Sequence, residues 1–231
     1  MNRGWLVVCT AAALFVLLFI PPVAQDEAFH RFADDRTITG IPNFWNVLSN
    51  LPFFAIGIAG LVKSGTTADR ALFAGVLLTG FGSGFYHLAP SDARLVWDRL
   101  PMAIIFMAFT AIAMEWTEGL GLLLSFGVGS VVLWRFTGDL RLYGIAKFGP
   151  ILLMLPALVS PTVWPLRKRQ YILAVVSLFA IAQWFELENR LIAAALPLSL
   201  HTIKHLVAGL ATWFLLQWRS AACGEPAVRV A

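Results

Sequence analysis

The stretch LHTIKHL at residues 200–206 opens the last hydrophobic segment of the chain. Its two histidines, His201 and His205, are four residues apart, so on a helix they lie one turn above each other and point toward the same object. Imidazole is costly inside an apolar membrane segment unless a partner satisfies it, and a metal ion is a common partner. The spacing favours a metal site; the alternative is that both histidines are buried polar residues that pack helix against helix.

A third histidine, His87, ends another hydrophobic segment in GSGFYH at residues 82–87. Three neutral imidazoles leave a fourth tetrahedral position for water, which is the arrangement of a catalytic zinc site. Zinc lowers the pKa of such a water to about 7. We therefore predict that His87, His201 and His205 bind one zinc ion. The remaining histidine, His30, has no partner at helical spacing and is left out of the site.

The composition indicates an integral membrane protein. Of 231 residues, 59% are hydrophobic and 13% are charged, about half the charged fraction of a soluble domain, and the mean hydropathy is +0.77. The net charge of +4 suits anionic lipid, and no basic patch suggests nucleic acid. Cys9 and Cys223 lie at opposite ends of the chain, which argues against a disulfide framework or a thiolate metal site.

Eight hydrophobic runs approach the ~20 residues that a membrane helix requires. We predict an all-α fold, a polytopic membrane helix bundle with a seven-span core and one N-terminal hydrophobic segment. The predicted divisions are an N-terminal segment at 1–24, a seven-helix membrane domain at 25–219 and a short disordered tail at 220–231. The runs cover residues 5–23, 45–62, 71–89, 100–115, 119–135, 145–163, 171–185 and 200–218.

The first run is either a signal anchor or a signal peptide cleaved near Ala24, and both place residue 26 on the non-cytoplasmic side. The basic cluster at residues 167–169 favours the cytoplasmic side for the loop that carries it. If the eight runs alternate in direction, His87, Asp98 and His201 all fall at the non-cytoplasmic face, where they can share one site.

Asp98 and Ser83 are the candidate catalytic residues. Asp98 precedes the fourth run, where its carboxylate can act as a general base toward a zinc-bound water; alternatively it is a helix N-cap, with Pro101 in the first turn. Ser83 lies one turn below His87 on the same helical face, so its hydroxyl can donate to an oxyanion. Alternatively, Ser83 is one of the small residues at 80–84 that let two helices approach closely.

Other polar residues have simpler interpretations. After the seventh run come Glu186, Glu188 and Arg190, for which a salt bridge at the rim is expected, and Lys204 lies off the face of the two histidines. A loop with four carboxylates either ligates a hard cation such as calcium or is solvated; these are Asp26, Glu27, Asp34 and Asp35. A polar stripe that enters the second span is explained by hydrogen-bonded packing inside the bundle; it consists of Asn43, Asn46, Ser49 and Asn50.

Five short elements, in this order on a hydrophobic chain of this size, resemble the alkaline ceramidase (alkaline phytoceramidase) family. That family belongs to a superfamily of seven-span membrane hydrolases that includes the adiponectin and progestin receptors. The resemblance extends from about Phe29 to Trp218. The elements are FADDR at 32–36, IPNFWNVLSN at 41–50, GSGFYH at 82–87, DRLPM at 98–102 and HTIKH at 201–205.

The resemblance implies zinc on His87, His201 and His205, an acid/base role for Asp98 and an oxyanion-supporting role for Ser83. It implies that the partner is a membrane lipid, a ceramide or another lipid amide, which is hydrolysed to a sphingoid base and a fatty acid. The compact loops suggest a bacterial member of the family. The expected location is then the bacterial inner membrane, with the zinc site at the periplasmic face. The sequence identifies no protein partner.

The chain departs from the family at two positions. Arg99 follows Asp98 where animal members have Glu, and Asn43 stands where the family has a calcium-ligating Glu; Asp34 and Asp35 are the candidate calcium ligands instead. Two other function classes stay open. One is a receptor-like or lipid-sensing membrane protein with a structural zinc site. The other is a transporter or channel with an imidazole-lined path, which the gathering of polar residues at one face disfavours.

Overall fold

The protein is described by a computed structural model, which covers residues 3–160, 163–187 and 198–224. Within these ranges the fold is all α, with nine α-helices, two short 3-10 helices and no strand. The 3-10 helices are Glu27–His30 and Thr117–Gly119. The α-helices are α1 (Arg3–Phe19), α2 (Phe44–Leu48), α3 (Leu51–Lys63), α4 (Thr67–Leu88), α5 (Asp92–Ala113), α6 (Leu120–Thr137), α7 (Arg141–Val159), α8 (Leu166–Leu187) and α9 (Leu200–Gly224).

Helices α2 and α3 together form one span, Phe44–Lys63. The span is interrupted after α2 because Pro52, at the start of α3, has no N–H to donate to the preceding turn. The interruption lies beside the polar stripe that the sequence places at the beginning of this span, and those polar side chains are buried.

In the part of the chain that the structure describes, six helices are long and apolar enough to cross a membrane, judged by length and composition. They are Phe44–Lys63, α4, α5, Thr117–Thr137, α7 and α8. The first predicted run forms a shorter apolar helix, Gly4–Phe19. Helix α9 is long and continuous, but His201, Lys204 and His205 interrupt its apolar sequence. The prediction of an all-α, multi-pass membrane bundle is confirmed, with six of the eight expected runs meeting these criteria.

Contacts at the two ends of the bundle agree with alternating helix directions. At one end, Arg219 near the end of α9 pairs with Asp69 in the first turn of α4, Nε to Oδ1 2.6 Å. At the same end, Lys168 of α8 pairs with Glu115, which follows α5, at 2.6 Å. The end of α4 and the start of α9 then meet at the opposite end, where His87 lies.

Helix α1 packs antiparallel to α7. The Arg141 guanidinium, in the first turn of α7, donates to the carbonyls of Leu17 and Ile20 at 2.8 and 2.7 Å. At the other end of the pair, the Trp5 indole donates to the carbonyl of Leu152 at 3.1 Å. Since Arg141 satisfies carbonyls that have no partner within α1, the run at 5–23 is held in the bundle by polar contacts as well as apolar packing.

Gly82 lets α4 and α5 approach closely beside the candidate site. A Cβ at this position would lie 1.9 Å from the carbonyl oxygen of Trp97, so only glycine fits. The close approach brings Ser83 of α4 next to Asp98 of α5. Gly80 and Gly82 therefore serve helix packing, as the sequence suggests, and the packing at Gly82 positions a candidate catalytic pair.

Candidate metal centre

The three predicted histidines converge in the structure. His87 lies in the last turn of α4, and His201 and His205 lie in the first two turns of α9. Their exposed fractions are only 1%, 1% and 4%. The Nε2 atom of His87 lies 3.3 Å from Nε2 of His201 and 3.3 Å from Nε2 of His205. One potential ligand atom from each residue lies within 4.8 Å of the other two, so the triad could bind a metal ion.

The separations suit a small tetrahedral ion. Nitrogens that are each about 2.0–2.1 Å from a tetrahedral zinc ion lie about 3.3–3.4 Å from each other. Hydrogen bonding alone explains the contacts less well. A neutral imidazole nitrogen carries either one proton or one in-plane lone pair, so Nε2 of His87 cannot make good hydrogen bonds to both neighbours. A cation at the centre would accept all three lone pairs.

Ser49 fixes the orientation of His205. The Ser49 hydroxyl donates to the carbonyl of Asn46 at 3.1 Å, and Nδ1 of His205 lies 2.8 Å from the same Oγ. When the hydroxyl proton is directed at Asn46, the ring N–H of His205 lies on Nδ1, which leaves the lone pair of Nε2 facing the centre. Sequence analysis placed Ser49 in a buried packing stripe but did not connect it with a ligand.

The rest of the polar stripe also supports the two helices that carry the ligands. Asn43 donates to the carbonyl of His87 at 2.8 Å. The side-chain oxygen of Asn46 accepts from Thr202 at 2.8 Å and from Ser199 at 3.3 Å. The expectation of hydrogen-bonded packing is confirmed, and these bonds join the second span to the end of α4 and the start of α9.

Glu186 and Lys204 lie closer to the centre than the sequence suggests. The Lys204 ammonium pairs with the Glu186 carboxylate, and the same oxygen lies 3.6 Å from Nδ1 of His201. Glu186 therefore has a salt-bridge partner on α9 that the sequence did not indicate, and both residues line the cavity that also contains His205. Glu188 and Arg190, which were grouped with Glu186, lie outside the described residues.

The loop that follows α1 covers the centre. The ring of Phe32 contacts the rings of His87 and His201, with centroid separations of 4.7 and 4.6 Å. His30 is bonded elsewhere, with Nδ1 2.9 Å from the Tyr86 hydroxyl and Nε2 3.0 Å from the Asp92 carboxylate. His30 is therefore separate from the triad, in agreement with its omission from the predicted site.

Asp98 and Ser83 are neighbours and line the cavity that His205 also lines. The Ser83 hydroxyl is a hydrogen-bonding neighbour of the Asp98 carboxylate. The N-cap interpretation of Asp98 is wrong: α5 begins at Asp92, and its N-cap is Ser91. Asp98 is thus inside α5, where its carboxylate has no capping role.

A largely apolar cavity extends from this cluster between α5, α7, α8 and α9. Its volume is about 190 Å³, which exceeds the roughly 150 Å³ of an engineered protein cavity that binds benzene. Aromatic side chains form part of its wall, among them Phe106 and Phe179, whose ring centroids lie 5.6 Å apart. The polar side chains of the lining include Ser83, Asp98 and His205.

The candidate calcium ligands are not arranged as a cation site. Both carboxylate oxygens of Asp34 accept from Arg36, at 2.7 and 2.6 Å, and this guanidinium lowers the pKa of Asp34. Asp35 is exposed. Among the described residues, the histidine triad is the one group of three or more His, Cys, Asp or Glu side chains close enough to hold a metal. Calcium at Asp34 and Asp35 stays a prediction.

Comparisons with family models, with curated proteins and with solved structures found no match for this chain.

Proposed function

We propose that the chain is a zinc-dependent intramembrane hydrolase that cleaves the amide bond of ceramide or a related lipid amide. The products are a sphingoid base and a fatty acid. The observation that carries this proposal is the buried three-imidazole centre at the end of an apolar cavity, with Asp98 and Ser83 beside it. A purely structural role for the three histidines does not require a carboxylate, a hydroxyl and a ligand-sized space next to them.

The donor set supports zinc as the metal. Three neutral imidazoles with no thiolate or carboxylate are typical of a catalytic zinc site that keeps one position open. When bound, zinc supplies Lewis-acid chemistry, since it polarises a carbonyl group and makes water acidic enough to react near neutral pH. His87, His201 and His205 would hold the ion.

Asp98 and Ser83 would act on the reacting atoms. Asp98 takes a proton from the attacking water and delivers it to the amide nitrogen as the carbon–nitrogen bond breaks. The oxygen of the water becomes part of the carboxyl group of the fatty acid, and the nitrogen leaves as the amine of the sphingoid base. Ser83, which bonds to Asp98 before substrate binds, donates its hydrogen bond to the oxyanion that develops on the carbonyl.

The direction of the helices supports a location. The centre lies at the end of α8 that carries Glu186, whereas the basic cluster at 167–169 lies at the beginning of α8. Positively charged loops favour the cytoplasmic side. We therefore place the centre at the periplasmic face of a bacterial inner membrane, where it would act on lipids of the outer leaflet.

The test is release of free fatty acid from a panel of ceramides and other lipid amides by purified protein in detergent, beside His205→Ala. We expect release by the wild-type protein, loss with a chelator, recovery with added zinc and no release by the variant. The absence of release from every lipid amide, with zinc still bound, would overturn the hydrolase and favour the receptor-like or lipid-sensing alternative. If His205→Ala releases as much fatty acid as the wild-type protein, the activity does not depend on the three-histidine centre.

A further inference from the structure

We propose that the cavity binds a lipid with a negatively charged head group, a phosphate or a carboxylate, held between Arg99 of α5 and Lys147 of α7. The two cations line the cavity that also contains Asp98 and His205. The claim that such a lipid is the substrate rests on the proposed hydrolase function. The claim that such a lipid binds rests on the cavity alone.

Arg99 is a buried cation with unused hydrogen-bonding capacity. Its exposed fraction is 7%, and its guanidinium carbon lies 4.1 Å from the ring centre of Trp134 and 4.9 Å from that of Tyr143. Nη2 donates to the side-chain oxygen of Gln25, but the buried Nη1 has no hydrogen-bond partner among the residues that the structure describes. The aromatic rings hold the guanidinium in place without neutralising it, so Nη1 is available to an anion.

Lys147 is a second cation on the facing helix. Its ammonium lies 5.0 Å from the ring centre of Phe148. In the described ranges 3–160, 163–187 and 198–224, neither Lys147 nor Arg99 forms an ion pair. Of the two acids that line the cavity, Glu186 is paired with Lys204, and Asp98 makes no salt bridge within the described ranges.

The charges of the lining favour an anion. The cavity is lined by the acids Asp98 and Glu186 and by three cations, so one positive charge is in excess, and a divalent metal at the histidines would add two more. Unpaired charge is expensive inside a membrane protein unless a counter-charge is present. A neutral head group would leave the excess positive charge without a counter-charge, whereas a phosphate or carboxylate would supply one and could accept hydrogen bonds from Arg99 and Lys147.

The adjoining wall accounts for the apolar part of the ligand. Phe106 and Phe179 both line the cavity, and their rings contact each other at 5.6 Å between centroids. An alkyl chain that starts at the two cations would therefore run along aromatic surface. The expected ligand is an amphiphile with one alkyl chain or more and an anionic head, and inorganic phosphate alone would lack the apolar part of the interaction.

The first test measures binding of dodecyl phosphate to purified protein in neutral detergent by calorimetry, with dodecanol and inorganic phosphate as comparison ligands. We expect dodecyl phosphate to bind more tightly than either. Lys147→Gln should weaken its binding by on the order of tenfold, the usual effect of losing a charged hydrogen bond. Lys147→Arg should retain most of the affinity. Lys63→Gln, at the exposed end of α3, is the control and should change nothing.

Three results would overturn the proposal. If dodecanol bound as tightly as dodecyl phosphate, the head-group charge would not be recognised. Unchanged binding in both Lys147→Gln and Arg99→Gln would show that these cations are not the site. Binding that is lost in His205→Ala but intact in Lys147→Gln would assign the anion to the metal centre.

Hydrolysis assays separate this proposal from the hydrolase itself. If lipid amides are cleaved, Lys147→Gln should raise KM for an anionic lipid amide by roughly tenfold and leave KM for its neutral counterpart unchanged. Equal effects on both substrates would contradict the head-group assignment while the hydrolase stands. If dodecyl phosphate binds in a charge-dependent way but no lipid amide is cleaved, the binding site is supported and the proposed hydrolase function is contradicted.

Discussion

The Nε2 atoms of His87 and His205 lie 3.3 Å apart, although 118 residues separate the two histidines in the chain. The contact joins the last turn of α4 to the second turn of α9. Ser49 holds the outer nitrogen of His205, so three separate spans determine the position of one ligand pair. The ligands assemble only when the bundle folds, and metal binding should therefore stabilise the folded protein.

Asp98→Asn should leave the metal in place and slow turnover. The amide keeps the size of the carboxylate but cannot accept and return a proton, and loss of a general base typically slows a reaction by about 10²–10⁴-fold. The check is fatty-acid release and metal content measured on the same preparation. If Asp98→Asn loses as much metal as His205→Ala, Asp98 supports the centre and does not carry the proton.

Ser49→Ala should weaken metal binding without abolishing it. The alanine removes the acceptor that holds the Nδ1 proton of His205 at 2.8 Å, and loss of such a partner typically costs about 10–100-fold in metal affinity. Competition with a chelator measures the change. Ser64→Ala is the matched control, because Ser64 only bonds to the carbonyl of Gly60 at the opposite end of the span. Equal affinities in the two variants would argue against the assigned role of Ser49.

Gly82→Ala should destabilise the bundle, whereas Gly84→Ala should not. The new methyl group at residue 82 would lie 1.9 Å from the backbone oxygen of Trp97, but at residue 84 it would meet no atom within 4 Å. Overpacking of this kind costs about 1–3 kcal/mol or more. Thermal unfolding in detergent measures both variants. A Gly82→Ala protein as stable as Gly84→Ala would mean that α4 and α5 are less closely packed than described.

The attachment of α1 should depend on pH through Asp139. This residue lies between α6 and α7, accepts the backbone N–H of Val23 at 3.2 Å and bonds to Arg141, which lowers the pKa of Asp139 from 3.8 to about 2. Because the folded-state pKa is the lower one, the stabilisation is present above pH ~4 and is lost as the pH falls toward 2.

Asp139→Asn is the variant that tests this dependence. The melting temperature of the wild-type protein should exceed that of Asp139→Asn at pH 6, and the difference should shrink as the pH falls from 4 toward 2. A difference that stays constant over this interval would show that the carboxylate charge does not contribute.

The sequence was sufficient to predict that the three histidines converge, because two local rules coincide. His201 and His205 are four residues apart on one helix, and alternation of apolar spans places the end of the His87 span at the same face. Both rules need only the helical spacing of residues and the order of the spans along the chain. The same reasoning correctly predicted that the polar stripe at the second span is buried.

Other features depend on tertiary packing and were not predictable. The polar first two turns of α5 lie outside the hydrophobic run that starts at residue 100, so Asp98 resembled a cap while the helix begins at Asp92. The Ser49–His205 and Glu186–Lys204 pairs depend on how α8, α9 and the second span are rotated against each other. Similarly, the proximity of Phe32 to the triad requires the path of a loop, which no periodicity encodes.

The most direct test of the central claim is the metal content of the purified protein and of three single variants, His87→Ala, His201→Ala and His205→Ala. We predict about one zinc ion per chain in the wild-type protein and none in each variant. His30→Gln, which alters the one histidine outside the triad, should retain the metal. A wild-type protein that binds no metal, or a His205→Ala variant that still carries one ion per chain, would contradict the account.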